Sequence, residues 1–190
     1  MKISIVLICM ILVVSCTPKY PLKINIDDYE LGLEITNSVI STETLFENKC
    51  IEFDSSIPST QILNSQVDGE ALYTFLNRVL LKNYNLGDEC NTDNSIKITN
   101  IKSEYSWDGR MRLNFYNGKV SLESTYYCQD NNVTFSSIKE RTLKKHGKLI
   151  TLGLINQEKT QALIAAVIVL AFDDAISDIH NQIIIKCNQS

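Results

Sequence analysis

Two short stretches near the N-terminus alternate apolar and polar residues with a period of two: Leu22, Ile24 and Ile26, then Leu31, Leu33 and Ile35. In a strand this period places alternate side chains on the same face. The pattern therefore predicts two strands within residues 22–35. A further short strand is predicted at 50–53, followed by a polar loop at 55–65 that contains Pro58.

A helical period begins after Asp68, where apolar residues recur every three or four positions: Leu72, Phe75, Leu76, Val79 and Leu80. This spacing places the five side chains on one face of a helix. Asp68 is a suitable N-cap, and Asn85 or Gly87 can adopt the positive φ that often ends a helix. A helix is therefore predicted over 68–84.

Alternation returns in the middle of the chain. The first strand, 96–107, changes phase near Thr99-Asn100, which predicts a β-bulge. Asp108-Gly109 and Asn117-Gly118 are dipeptides preferred in two-residue hairpin turns. With a third turn at 129–132 and a further strand at 133–142, this segment is predicted to form an antiparallel meander.

One long helix is predicted over 156–185, after a basic loop at 144–148. Its centre, 162–172, is apolar on every side, which predicts burial against more than one neighbour. That run is too short to cross a bilayer whose hydrocarbon core is about 30 Å thick. The whole pattern predicts an α+β fold, a two-layer sandwich of a mostly antiparallel sheet with two helices on one face. Residues 22–190 are predicted to form this single domain.

Composition and charge narrow the class of protein. The chain has 190 residues, of which 44% are hydrophobic and 21% charged, a composition typical of globular proteins. The 18 Lys and Arg against 22 Asp and Glu give a formal charge of −4. Proteins that bind nucleic acids usually have an excess of basic residues, and this sequence has an excess of acidic ones.

The N-terminus carries an export signal. Lys2 precedes an apolar run at 3–14 that suits a signal peptide and is too short for a membrane span. The end of this run and the two residues after it, Val13-Val14-Ser15-Cys16, resemble the lipobox of bacterial lipoprotein precursors. An ordinary secretory signal with a chance cysteine, or an uncleaved anchor, is the alternative to the lipobox.

That resemblance implies acylation of the Cys16 thiol, cleavage just before Cys16 and acylation of the new amine. Residues 1–15 would then be the signal peptide and 16–21 a lipidated tether. The residue after Cys16 is Thr17 and not Asp. By resemblance to the sorting rule of enteric bacteria, this implies anchoring in the outer membrane, with the domain facing the periplasm.

Four cysteines lie beyond the signal and the lipobox: Cys50, Cys90, Cys128 and Cys187. In an exported chain an even number of cysteines predicts disulfides, with free thiols or a metal site as alternatives. Their residue numbers differ by 40, 38 and 59, whereas zinc ligands usually come in closely spaced pairs.

Strand directions predict which cysteines pair. If Asn117-Gly118 is a turn, Cys50 and Cys90 meet at one end of the sheet, and Cys128 and Cys187 meet at the other. The predicted disulfides are then Cys50–Cys90 and Cys128–Cys187, because a disulfide needs Cα atoms within about 7 Å. Without that turn, all four cysteines share one end and the argument loses its force.

Catalytic motifs are missing from the sequence, which contains no P-loop, dinucleotide-binding or nucleophile-elbow pattern. His146 and His180 lack a second histidine at metal spacing and are interpreted as surface residues. Asp173, Asp174 and Asp178 are interpreted as a solvated helix edge. No cofactor, metal site, catalytic residue or ligand-binding residue is predicted.

Two clusters have both a structural and a functional interpretation. The aromatic residues of the meander are Tyr105, Trp107, Tyr116, Tyr126 and Tyr127. Cross-strand packing is favoured for them over a binding face. The basic residues at the end of the last predicted strand and in the loop after it are Lys139, Arg141, Lys144, Lys145 and Lys148. A solvated strand end is favoured for these, with phosphate groups of lipids as the alternative.

The order of elements over roughly 50–187 resembles a broad group of small envelope lipoproteins. The group includes the lipopolysaccharide-assembly lipoprotein and the auxiliary lipoproteins of lipid ABC transporters. The resemblance implies a non-enzymatic accessory subunit with a protein partner in the outer membrane or a transporter. The alternative is a surface-exposed structural or adhesin-like lipoprotein.

Overall fold

A computed structural model describes residues 26–38, 50–53, 61–63, 76, 78–79, 95–110, 113–128, 130–146 and 157–187. The elements within these residues are α1 (Ile26–Thr36), β1 (Cys50–Phe53), β2 (Gln61–Leu63), β3 (Ser95–Arg110), β4 (Leu113–Cys128), β5 (Asn131–His146) and α2 (Gln157–Cys187). The predicted signal peptide and tether, 1–21, lie outside this described part of the chain.

The three long strands form one antiparallel meander in the order β3-β4-β5. β1 and β2 each pair with β3 in parallel, so the sheet is mixed but mostly antiparallel. The register of β3 against β4 shifts between Ile98 and Asn100, which confirms the predicted β-bulge. A turn near Asp130, whose φ is 62°, joins β4 to β5 where the third turn was predicted.

Both predicted Gly-containing turns are wrong. Gly109 lies within β3 opposite Asn114, and the hairpin closes two residues later, between Arg110 and Leu113. Gly118 lies inside β4 and pairs with both neighbouring strands. A Cβ atom at Gly118 would lie 2.9 Å from the carbonyl oxygen of Val167 on α2. The absence of a side chain at Gly118 therefore lets the strand and the helix approach closely. An Asn-Gly pair in the sequence does not distinguish this role from a hairpin turn.

The meander has one buried face and one exposed face. On β4 the buried residues alternate along the strand: Tyr116, Gly118, Val120, Leu122, Ser124, Tyr126 and Cys128. α2 packs against this face of β4 and β5. The strand residues between them point to the other face, which is polar and solvent-accessible. One sheet face thus forms the core, as the two-layer prediction required.

The strand predicted from Leu31, Leu33 and Ile35 is wrong, because these residues lie in helix α1. Of the strand predicted from Leu22, Ile24 and Ile26, only Ile26 is among the described residues, and it begins α1. The buried and half-buried residues of α1 include Tyr29, Gly32, Leu33 and Thr36, which follow the helical spacing i, i+3, i+4 and i+7. α1 and α2 approach each other closely at Gly32, where an added Cβ would lie 2.6 Å from the Cβ of Ala166. Because Gly32 has no apolar side chain, the pattern of apolar residues in this segment does not show the helical period.

A Schellman motif ends α1. Asn37 adopts a left-handed conformation with φ 51°. The backbone N–H of Asn37 donates to the carbonyl of Glu34, and that of Ser38 donates to the carbonyl of Leu33. These two bonds satisfy carbonyl groups that the last helical turn would otherwise leave unpaired.

α2 agrees closely with the long helix predicted at 156–185. Residues 162–173 are all buried, since α1 lies on one part of their surface and the sheet on another. Between β2 and β3, Leu76 and Val79 are helical and buried and Arg78 is helical and exposed, in phase with the helix predicted at 68–84. The rest of that helix lies outside the described residues. The chain therefore has the predicted α+β fold.

Candidate functional site

A disulfide joins the end of β4 to the end of α2. Cys128 and Cys187 have Cα atoms 5.7 Å apart, and 59 residues separate them. The predicted Cys128–Cys187 pair is therefore present. Cys90 lies outside the described residues, so the Cys50–Cys90 pair stays a prediction, as does lipidation of Cys16.

The reasoning that separated the two cysteine pairs is wrong. β4 runs unbroken through Asn117-Gly118, so Cys128 lies at the end of the sheet where β3 begins. Cys50 pairs with Ser95 at that same end. Cys128 and Cys187 still meet because the missing turn reverses β4, and therefore also β5 and α2. The predicted pair is still correct, because both cysteines lie at the opposite end of the sheet from the one predicted.

A charged seam runs between the edge of β5 and α2. The guanidinium group of Arg141 donates two hydrogen bonds to the carboxylate of Asp174, through Nε and through Nη2. The Nη2 bond is 2.6 Å long. This bond and the nearby negative charge raise the pKa of Arg141 above its ordinary value, although partial burial opposes the change. Arg141 stays charged under all physiological conditions.

The second half of the seam is centred on Asp178. Its carboxylate accepts hydrogen bonds from the Ser137 hydroxyl at 2.7 Å and from the Gln182 amide at 3.0 Å. The Lys139 ammonium lies 3.0 Å from the same carboxylate. Burial alone would raise the pKa of Asp178, but the three donors together lower it below its ordinary value. The carboxylate is therefore held in its charged form.

This seam changes the interpretation of two predicted clusters. Asp174 and Asp178 are ion-paired, and Asp173 is 3% exposed, so the three do not form a solvated edge. The interpretation of His180 as a surface residue is also wrong, since it is 7% exposed. Both corrections have one cause: α2 is covered on more than one side along this part of its length.

The basic cluster divides into two groups. Lys139 and Arg141 are neutralised by the carboxylates of α2. Lys144 is exposed, on the other face of β5, with its ammonium 5.9 Å from the ring centre of Phe115. Lys145 stands next to it, in register with Asn114. Lys148 lies outside the described residues.

The aromatic residues of the meander do not share one face. Tyr116 and Tyr126 are buried in the core, whereas Tyr127 is 39% exposed. Trp107 is in register with Tyr116 on the neighbouring strand. This distribution leaves no continuous aromatic binding surface among the described members of the cluster, and cross-strand packing of these rings stays a prediction.

The open face of the sheet carries a shallow depression of about 150 Å³. Its polar wall is a cross-strand row in which Lys119 stands between Glu104 and Glu140. A second row links Ser106, Asn117 and Thr142 through side-chain hydrogen bonds of 3.2 and 2.8 Å. These groups satisfy one another across the strands, an arrangement that stabilises the sheet.

Within the described residues, no group of three His, Cys, Asp or Glu side chains is placed to hold a metal ion. None of the described helices is long and apolar enough to cross a membrane. No protein-family model matches the chain, and it shows no significant similarity to curated proteins or solved structures.

Proposed function

We propose that the chain is a lipid-anchored, non-enzymatic accessory protein of the bacterial outer membrane, a subunit in envelope assembly or lipid transport. The observation that carries the proposal is the Val13-Val14-Ser15-Cys16 run after a short apolar segment. The Cys128–Cys187 disulfide supports export independently, because such bonds persist in the periplasm and are rare in the cytosol.

The accessory role is supported by the way the described polar groups are used. The polar side chains of Asp174, Asp178 and Ser137 are engaged in the seam that joins α2 to β5. The exposed sheet face is long and polar, with hydrogen bonds between its own side chains. Such a face suits contact with a protein partner better than the capture of a small substrate.

Replacing Cys16 with Ala tests the anchor. The wild-type chain expressed in a bacterial host should incorporate labelled palmitate and partition into the membrane fraction. The Cys16→Ala chain should lose the label, because the thiol that accepts the diacylglyceryl group is gone. Palmitate incorporation that persists in Cys16→Ala would disprove the lipobox interpretation. Cys9→Ala is the matched control and should leave the label unchanged.

The partner is tested by affinity purification from solubilised envelopes with a tag after Ser190, followed by mass spectrometry. Recovery of outer-membrane assembly or transporter subunits supports the accessory role. Removal of the protein from intact cells by an added protease would instead favour a surface-exposed, adhesin-like lipoprotein.

A further inference from the structure

β5 is an edge strand along its whole length. Within the described residues it pairs with β4 on one side, and no strand lies on the other. Its pairing starts at Cys128 and Asn131 across a tight turn, and such a closing pair exchanges both backbone hydrogen bonds. Odd-numbered residues of β5 therefore turn their backbone groups toward β4. Even-numbered residues turn theirs toward the free edge, where the carbonyl of Ser136 accepts a hydrogen bond from the side chain of Gln182 at 3.0 Å.

The described edge lacks the features that usually stop a second strand from adding to a sheet. Such features include a proline, a bulge and an inward-pointing charge. β5 contains no proline, and its register with β4 is continuous. Lys139 and Arg141 do point inward, but the carboxylates of Asp178 and Asp174 balance their charges. The free backbone groups of β5 are therefore open to pairing with another strand.

The two most exposed large hydrophobic side chains among the described residues lie on either side of this edge. Ile138, near the middle of β5, is 63% exposed on the open face of the sheet. Ile185 of α2 is 61% exposed. It lies about two helical turns beyond Asp178, on the side of α2 that faces β5. A strand added to β5 would cover the first isoleucine, and a helix above that strand would cover the second.

From these features we propose that β5 pairs antiparallel with β5 of a second copy of this chain, around a two-fold axis at Ile138. The two sheets then form one continuous sheet with both α2 helices on the same side. Because α2 packs over β4 and β5, its axis lies about half a strand spacing inside β5. The two α2 axes are then about 10 Å apart, a separation at which helices pack against each other.

Side chains of similar chemistry face each other when the axis lies at Ile138. The two Ile138 side chains are then directly opposite on the open face, and Thr134 is opposite the partner's Thr142. On the inner face, Val133 is opposite the partner's Leu143. Apolar pairs and threonine pairs of this kind stabilise antiparallel strands.

Neighbouring positions of the axis are less favourable. An axis at Lys139 would place the two Lys139 side chains opposite each other. An axis at Glu140 would do the same for the two Glu140 side chains, and it would place Lys139 opposite the partner's Arg141. Like charges directly opposite destabilise a strand pair. An axis at Ser137 would place Ile138 opposite the partner's Ser136, a polar residue. The axis at Ile138 avoids all of these mismatches.

Cysteine cross-linking in membranes that contain the full chain tests the contact. Ile138→Cys should give a disulfide-linked dimer on mild oxidation, because its two copies lie within the Cα separation of about 7 Å that a disulfide needs. Ser121→Cys is the matched control. Ser121 is in register with Ile138 on β4, so its two copies would lie about 14 Å apart. This control should give no more dimer than the wild-type chain, whose native cysteines set the background.

A charge exchange tests the register. Asn132 is opposite the partner's Lys144, and both are exposed. Within one chain the two positions are about 40 Å apart, so they can meet only between copies. Asn132→Glu adds two ion pairs to the dimer and should raise the dimerisation constant by about twofold to thirtyfold. Asn132→Lys should lower it by a similar factor, and Lys144→Glu added to Asn132→Lys should restore it.

Sedimentation equilibrium of the full chain in density-matched non-ionic detergent measures the constant, and circular dichroism checks that each variant folds. Equal cross-linking of Ile138→Cys and Ser121→Cys would overturn the proposal, as would equal constants for Asn132→Glu and Asn132→Lys. Cross-linking of Ile138→Cys to a protein of different mass would contradict a second copy as the occupant of this edge. The outcome is independent of the anchor: a chain without lipid that gives the expected cross-link supports pairing through β5 and contradicts only lipidation.

Discussion

At the scale of single residues, two glycines let α2 approach its neighbours. Gly32 of α1 and Gly118 of β4 both face backbone atoms of α2, at Ala162 and Val167 respectively. Neither needs a positive φ, so their role is purely steric. A side chain at either position would meet main-chain atoms, which cannot rotate away as a flexible side chain can.

The Gly32→Ala change should lower the free energy of unfolding, by about 1–3 kcal/mol, because an added methyl group overpacks the contact with α2. Helix propensity alone predicts the opposite, a gain of about 1 kcal/mol. The backbone clash is expected to outweigh that gain. Urea denaturation followed by circular dichroism measures the difference.

Glu34→Ala is the control for that measurement. Glu34 lies on the same helix but is exposed, so its replacement should change stability by no more than about 0.5 kcal/mol. A Gly32→Ala protein more stable than the wild type would show that α1 does not pack closely on α2.

At the scale of elements, α2 and β5 are joined by matched repeats. Four residues of helix rise about 6.0 Å, and two residues of strand advance about 6.6 Å. Antiparallel neighbours can therefore pair every fourth helical residue with every second strand residue. The seam follows this rule, with Asp174 facing Arg141 and Asp178 facing Lys139. Lys186 continues the series, 5.6 Å from the ring centre of Phe135.

Acid should weaken the seam in a defined pH window. The folded-state pKa of Asp178 lies below its ordinary value of 3.8, so the contribution of its carboxylate is fully present above that value. It is lost as the pH falls below 3.8 and through the lower folded pKa. The stability difference between wild type and Asp178→Asn should therefore be larger at pH 7 than at pH 2.5.

Denaturant titrations at both pH values measure that difference. Asp130→Asn, which removes an exposed carboxylate outside the seam, is the control. A wild-type advantage of equal size at both pH values would mean that the Asp178 carboxylate does not bind its donors. Because the pair is partly exposed, the effect at pH 7 should be of the order of 1 kcal/mol or less.

Sequence patterns predicted α2 and an antiparallel meander, but they divided β4 at Asn117-Gly118 and missed the close contacts. α2 was predicted within two residues at each end, and the β-bulge near Thr99 was predicted from a change of phase. α1 was missed because Gly32 occupies its buried face. The seam was missed because its acids and bases are distant in sequence, although the spacings of four on α2 and two on β5 contain the signal.

At the scale of the whole molecule, the Cys128–Cys187 disulfide links the two ends of the segment that contains β5 and α2. The segment between Cys128 and Cys187 contains all of β5 and α2, and the bond closes it at the end of the sheet where β3 begins. β5 runs from one end of the sheet to the other, and α2 returns along the sheet. The order and direction of these two elements therefore bring Cys128 and Cys187 to the same end. This is why the pairing was predictable even though the direction of β4 was not.

Loss of the Cys128–Cys187 bond should lower stability by about 2–4 kcal/mol, chiefly because the unfolded chain gains freedom. Peptide mapping without reductant should recover a Cys128–Cys187 peptide from the wild-type protein. The Cys187→Ser variant should melt at a lower temperature, and reductant should not lower it further through this bond. A Cys50–Cys187 or Cys90–Cys128 peptide would contradict the Cys128–Cys187 bond.

The two attachments of α2 make it a beam held at both ends. Near its start, the contacts at Ala162, Ala166 and Val167 fix its position against α1 and β4. At its finish, Cys187 is bonded to the sheet. A helix that is fixed near both ends transmits a displacement from one attachment to the other. Reducing the disulfide releases the C-terminal end of α2. Its last turns can then fray, while the contacts at Gly32 and Gly118 still hold its N-terminal half.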